Sequence, residues 1–125
     1  MLGAVRTFEI WRDGIDEPVA TLAYDVMARE DERWTGSIIP PLGRKFAPWV
    51  FRLYCDRTGE TEVRPSVCRL WVKGRIVPRN RQNLGAILRR MGLTYYDPPS
   101  LLMDNEGRTD DEFYVKEIKQ DDDGE

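Results

Sequence analysis

Residues 5–24, VRTFEIWRDGIDEPVATLAY, decide the fold class of this chain. The opening residues alternate polar and apolar side chains and place Phe8 and Ile10 on one face, which is typical of a half-buried β-strand. A turn starts at Asp13-Gly14, and Val19–Tyr24 is again rich in apolar side chains. Two such runs around a loop of about five or six residues predict an antiparallel hairpin.

Shorter elements follow the hairpin. Residues 26–33 are charged and irregular, with room for one helical turn, and Trp34–Ile39 predicts a third strand. The aromatic and β-branched side chains of Phe46–Cys55 fit a strand. A short helix fits this segment almost as well, because Pro48 suits a first helical turn. Near the other end, Phe113–Ile118 alternates enough to predict a final strand.

Two helices are predicted in the middle of the chain. Pro65 opens the first, and Gly74 ends it. Pro78 opens the second, and Gly92 is its expected C-terminal cap. The first has an apolar stripe at Val67, Leu70 and Trp71, and the second has one at Leu84, Ile87, Leu88 and Met91. This helical spacing predicts burial of Trp71, Leu84, Ile87 and Leu88. A third short helix is expected over Pro98–Asp104.

Together these elements predict a single α+β domain over residues 1–118. Its small antiparallel sheet, the N-terminal hairpin plus further strands, packs against two or three helices. A chain of 125 residues with 41% hydrophobic content can bury one core without cross-links. Residues 119–125 are acidic and are expected to fray.

The sequence argues against most chemistries. The chain contains no histidine, which removes the commonest general base and metal ligand. Neither of two glycine-rich phosphate-binding patterns, Gly-x-x-x-x-Gly-Lys-Ser/Thr and Gly-x-Gly-x-x-Gly, occurs in the chain. The paired carboxylates lie in runs such as Asp121-Asp122-Asp123, and neighbours in a run are not by themselves held apart as glycoside hydrolysis requires. Cys55 and Cys68 fit no metal spacing and are expected to be small core thiols. We therefore expect no enzymatic activity, no cofactor and no metal.

The absence of a long apolar run or a leader-like segment predicts a cytoplasmic protein without a membrane partner.

The charges are segregated along the chain. The net charge is −3, yet residues 64–90 hold eight bases and no acid, whereas residues 97–125 hold eleven acids and three bases. Such asymmetry indicates contact with a charged macromolecule. The basic candidates are Arg69, Lys73, Arg75, Arg79, Asn80, Arg81, Gln82, Arg89 and Arg90. The acidic candidates are Asp110, Asp111 and Glu112.

Two readings of the charges need no external ligand. The cations can simply cover the polar faces of two core helices. The acidic C-terminal segment can also pack over, and shield, the basic face.

A DNA-binding function is one alternative. Residues 79–83, RNRQN, are the residue types that read base edges, and they are predicted to open the second helix. Two helices around a short connection resemble a helix-turn-helix in outline. The pI of 5.1 argues against a simple DNA binder.

Residues 71–84, WVKGRIVPRNRQNL, carry a pattern of Trp, Arg, Ile/Val-Pro, Arg-Gln and an apolar residue. This pattern resembles short HipA-like proteins of Gram-positive bacteria and their mobile elements. Residues 107–115, GRTDDEFYV, are similar to the segment that follows it there, and the N-terminal hairpin is similar in outline to the opening hairpin of HipA-type kinases.

The resemblance implies a module and a setting in phage or other mobile DNA, without an active site. HipA-type toxins are serine/threonine kinases whose catalytic machinery lies beyond this module, and no catalytic Asp-x-x-x-x-Asn pattern occurs here. The leading hypothesis is therefore a non-enzymatic inhibitor or regulator of a larger protein or ribonucleoprotein, for example an anti-CRISPR protein. An antitoxin-like partner of a separate HipA-type kinase is the second alternative to it.

Overall fold

The computed structural model describes residues 5–118, which form one α+β domain, as predicted. The strands are β1 (Val5–Arg12), β2 (Ala20–Asp25), β3 (Trp34–Ile38), β4 (Glu62–Val63) and β5 (Phe113–Ile118). The helices are α1 (Leu42–Phe46), α2 (Trp49–Thr58), α3 (Pro65–Lys73), α4 (Leu84–Arg90) and α5 (Pro98–Met103), with a short 3-10 helix at Glu30–Glu32. The predicted acidic tail, residues 119–125, lies outside the described residues.

The strands form one antiparallel sheet in the order β4-β3-β2-β1-β5. The predicted hairpin pairs β1 with β2, so that Phe8 lies opposite Leu22, and β1 also pairs with β5, so that Ile10 lies opposite Val115. All four side chains are buried. Because alternate side chains point to one face of a strand, this register gathers the apolar residues on a single face of the sheet.

Three helices contribute fully buried side chains to the core that covers this face. They are Phe51 and Cys55 from α2, Cys68 and Val72 from α3, and Leu102 from α5. Both thiols are buried and free, as predicted for core cysteines. Burial raises the pKa of Cys68 to about 12, so this thiol is protonated and unreactive at neutral pH.

The buried face of α3 differs from the predicted stripe. Leu70 is 61% exposed, whereas Cys68 and Val72 face the core. Trp71 is half-buried, with its ring centroid 6.0 Å from that of Phe51. The predicted stripe omitted Cys68, which behaves as a small hydrophobic residue and sets the phase of the helix. Gly74 does follow the last helical residue, as predicted.

The second middle helix, α4, begins at Leu84 instead of Pro78 and contributes no buried side chain. Leu84, Ile87 and Leu88 are half-buried, so the prediction of a buried stripe was wrong. Residues 79–83 carry only polar side chains. A first helical turn at these residues would have no apolar side chain to pack against the core. They form successive turns instead, closed by the N–H groups of Arg81 and Leu84.

The end of α4 agrees with the prediction. Gly92 has a φ of +75°, and the Leu93 N–H donates to the Leu88 carbonyl at 2.8 Å. This is the hydrogen-bond pattern of a Schellman cap, which favours glycine because of its left-handed backbone.

The segment that fitted either a strand or a helix is helical. Residues 46–55 contribute the end of α1 and most of α2, with Pro48 immediately before α2.

No helix within residues 5–118 has both the length and the apolar character that a membrane crossing requires.

Candidate functional site

Four basic side chains line one groove of about 580 Å³ on the surface of the domain. Its lining comes from β2, the short 3-10 helix, the start of β3, α3, the loop after α3 and the start of α5. The basic residues are Arg33, Arg69, Lys73 and Arg79. The same groove is lined by the aromatic residues Tyr24, Trp34 and Tyr96, by Asn80 and by one carboxylate, Glu30. We call it the basic groove.

Backbone carbonyls hold two of these cations in place. Arg69 and Lys73 are one helical turn apart on the exposed side of α3, and Arg69 Nη1 donates to the Asp31 carbonyl at 3.0 Å. Arg33 Nε donates to the Ala28 carbonyl at 3.1 Å. Neutral carbonyls orient both guanidinium groups and leave their positive charge uncancelled.

An aromatic side chain fixes the loop after α3. The hydroxyl of Tyr96 donates to the Val77 carbonyl, and the Arg79 guanidinium lies 4.3 Å above the Tyr96 ring. Burial raises the pKa of Tyr96 although Arg79 lowers it, so the phenol keeps its proton at neutral pH and remains a donor. This cation–π contact turns Arg79 and the neighbouring Asn80 towards the groove.

The charge of the basic groove is countered only in part by its own lining, which holds the carboxylate of Glu30. Among the described residues, none of its four cations forms an ion pair. By contrast, several other arginines are paired with carboxylates, namely Arg6, Arg12, Arg29, Arg75, Arg90 and Arg108. The positive charge in the groove is therefore available to an outside anion.

Arg75 is not part of a binding surface, which corrects its place among the basic candidates. It is 8% exposed, its guanidinium lies 3.8 Å from the Trp71 ring centroid, and Nη1 donates to the Gly107 carbonyl at 2.7 Å. Nη2 pairs with Asp111. This side chain ties the end of α3 to the segment before β5.

Asp111 is correspondingly an internal partner. Partial burial raises its pKa, but the hydrogen bond from Arg75 and that from the Phe113 N–H at 3.0 Å outweigh burial and leave the pKa below its usual range. The carboxylate stays ionised in mildly acidic solution, so its pair with Arg75 persists there.

The other predicted residues lie away from the lining of the basic groove. Arg81, Gln82 and Arg89 are exposed, as is Asp110. Arg90 pairs with Asp104 at 3.0 Å, and Glu112 pairs with Arg12 at 3.1 Å. Acids of the C-terminal segment thus neutralise bases of the same domain, which is the arrangement expected if this segment shields part of the basic face.

The sequence pattern missed Arg33 and Tyr96. Arg33 lies outside the acid-free stretch and next to acids in sequence, and the packing of α3 against the 3-10 helix and β3 brings it beside α3. Tyr96 belongs to the pair Tyr95-Tyr96, and this aromatic pair just beyond the basic stretch was the one available signal.

Comparison with known proteins gives no relative: no protein-family model, no curated protein and no solved structure matches the chain. The resemblance to HipA-like modules therefore stays a prediction from residues 71–84 and 107–115.

Proposed function

We propose that the chain is a non-enzymatic binding protein that docks on an anionic macromolecule through the basic groove. The observation that carries the proposal is the convergence of Arg33, Arg69, Lys73 and Arg79 on one concavity without an ion-pair partner among the described residues. Like charges held together repel one another, and a bound anion relieves that repulsion.

The rest of the domain supports this use of the groove. The chain is acidic overall, with a net charge of −3, so a general attraction to anions is not expected. Attraction must come from a local field, and a concave, partly low-dielectric wall concentrates such a field. The proposed contact is therefore local, with a footprint set by the groove.

The biological setting in the proposal comes from the sequence. Residues 71–84, which resemble mobile-element proteins, supply Lys73, Arg79 and Asn80 to the groove. We place the chain as an inhibitor or regulator of a larger protein or ribonucleoprotein, of which an anti-CRISPR protein is one example. The second alternative, in which the chain is an antitoxin-like partner of a separate HipA-type kinase, also relies on docking through the basic groove.

The DNA-binding alternative with a helix-turn-helix stays a prediction, and it has less support than the basic groove. Its reader residues, 79–83, precede α4 and lie in turns, so no helix carries them into a major groove.

Binding to heparin tests the proposal. Heparin is a general polyanion, so the test does not presuppose which kind of anionic macromolecule the partner is. The wild-type chain is expected to be retained on immobilised heparin and to elute with added salt, despite its negative net charge. The triple variant Arg69→Gln, Lys73→Gln, Arg79→Gln is expected to elute at markedly lower salt, because it removes three of the four groove cations. Arg33 is kept because it is half-buried.

A matched variant separates the groove from total charge. Arg44→Gln, Lys45→Gln, Arg57→Gln removes three exposed cations from α1 and α2, so its net charge equals that of the groove variant. We expect it to elute like the wild type. Equal shifts for the two triple variants, or no retention of the wild type, contradict the proposal.

A further inference from the structure

We infer that the partner segment held in the basic groove is single-stranded nucleic acid; this inference rests on the proposed function. Three features of the groove argue for it: its continuation into an aromatic depression, the unused N–H donors of Arg33 and Arg69, and its concave shape.

The basic groove continues into a second depression of about 250 Å³. The two share Tyr24, Arg33, Tyr96 and Pro98, so they form one continuous surface. The second depression is also lined by Tyr95, which is 63% exposed. The cations of the basic groove therefore lie beside an accessible aromatic ring, and the two further charged residues of the second depression, Arg6 and Asp97, are paired with each other.

This order of groups matches the chemistry of a single strand. Phosphates of the strand lie against Arg33, Arg69, Lys73 and Arg79, while an unpaired base stacks on Tyr95. Each nucleotide carries one phosphate and one flat ring, so cationic contacts next to an aromatic contact suit a nucleic acid. An acidic peptide offers carboxylates to the same cations but has no obligatory ring for Tyr95.

The remaining hydrogen-bond donors suit phosphate. Within the described residues, Arg33 uses Nε and Arg69 uses Nη1 on backbone carbonyls, and no further hydrogen bond of either guanidinium is formed. The free N–H groups can contact phosphate oxygens, for which a guanidinium fork is well matched. Asn80, also in the lining, offers an amide that can hydrogen-bond to a base edge.

The shape of the site disfavours a duplex. The cations line a concavity, whereas a major groove is read by a helix or β-ribbon that enters it. Bases of a duplex are stacked within the double helix and cannot reach Tyr95, whereas bases of a single strand can.

Fluorescence anisotropy with a labelled single-stranded oligouridylate tests the inference. We expect binding that weakens steeply with salt, is lost in the triple groove variant, and is stronger than binding of a duplex or a polyglutamate peptide with equal charge. Tyr95→Ala is expected to weaken binding about tenfold, because one stacking contact is removed. Tyr95→Phe keeps the ring and should bind like the wild type.

Trp49→Ala is the control, because Trp49 is also 63% exposed but lies on α2, outside the groove lining. We expect it to leave oligouridylate binding unchanged. Tighter binding of the duplex or the polyglutamate peptide overturns the inference, as do equal losses for Trp49→Ala and Tyr95→Ala or for Tyr95→Phe and Tyr95→Ala. If heparin retention still depends on the groove cations, those outcomes leave the proposed function standing; its own failure shows in the heparin comparison.

Discussion

Arg75→Met is expected to lower the free energy of unfolding by about 2–4 kcal/mol, since it breaks a largely buried, charge-assisted network. The variant leaves the Gly107 carbonyl and the Asp111 carboxylate without their guanidinium partner. Methionine keeps the aliphatic volume beside Trp71, so the loss reports mainly on polar contacts and on the cation–π contact at 3.8 Å.

Urea unfolding followed by tryptophan fluorescence measures this effect. Arg57→Met makes the same chemical change at an exposed position and is expected to stay within about 0.5 kcal/mol of the wild type. Asp111→Asn should cost less than Arg75→Met, because the Asp111 side chain is 41% exposed. A loss below about 0.5 kcal/mol for Arg75→Met would show that the network contributes little.

Phe51→Ala is expected to cost about 3–5 kcal/mol, because it removes a fully buried ring from the centre of the core. The ring lies between the sheet and α3, and its contact with Trp71 is lost as well. The surrounding elements cannot close this space without moving α2 towards the sheet.

Leu88→Ala provides the contrast within the same set of unfolding measurements. From its helical stripe alone, Leu88 is predicted to be a core residue whose truncation costs about 2–5 kcal/mol. Since Leu88 is half-buried on a helix without buried residues, we now expect a cost of about 1 kcal/mol or less. Equal losses for Phe51→Ala and Leu88→Ala would contradict the core described above.

The fold class was predictable because its signals are local. Alternation around Phe8 and Ile10 predicts the hairpin, and proline and glycine mark the ends of α3. The prediction that was wrong concerns which face of the two middle helices, α3 and α4, is buried. Whether Cys68 or Leu70 faces the core depends on which helix face meets β3, and this is a tertiary contact that periodicity alone does not fix.

The candidate site was predictable only in part. Charge segregation identified Arg69, Lys73 and Arg79, because they are close in sequence as well as in space. Segregation also suggested Arg75, since a list of charges does not distinguish an exposed guanidinium from one that is buried against Trp71. Arg33 was missed because a tertiary contact, the packing of α3 against the 3-10 helix and β3, brings it to the groove.

Chemical-shift mapping tests the central claim, that the basic groove is the surface that meets an anionic partner, most directly. A uniformly ¹⁵N-labelled chain is titrated with a short heparin oligosaccharide, and changes in each backbone amide are followed. We expect the largest changes to cluster at Arg33, Arg69, Lys73 and Arg79, with little change along α1 and α2. The claim would be contradicted if the largest changes lay around Arg44 and Arg57, or if no amide changed at the highest oligosaccharide concentration.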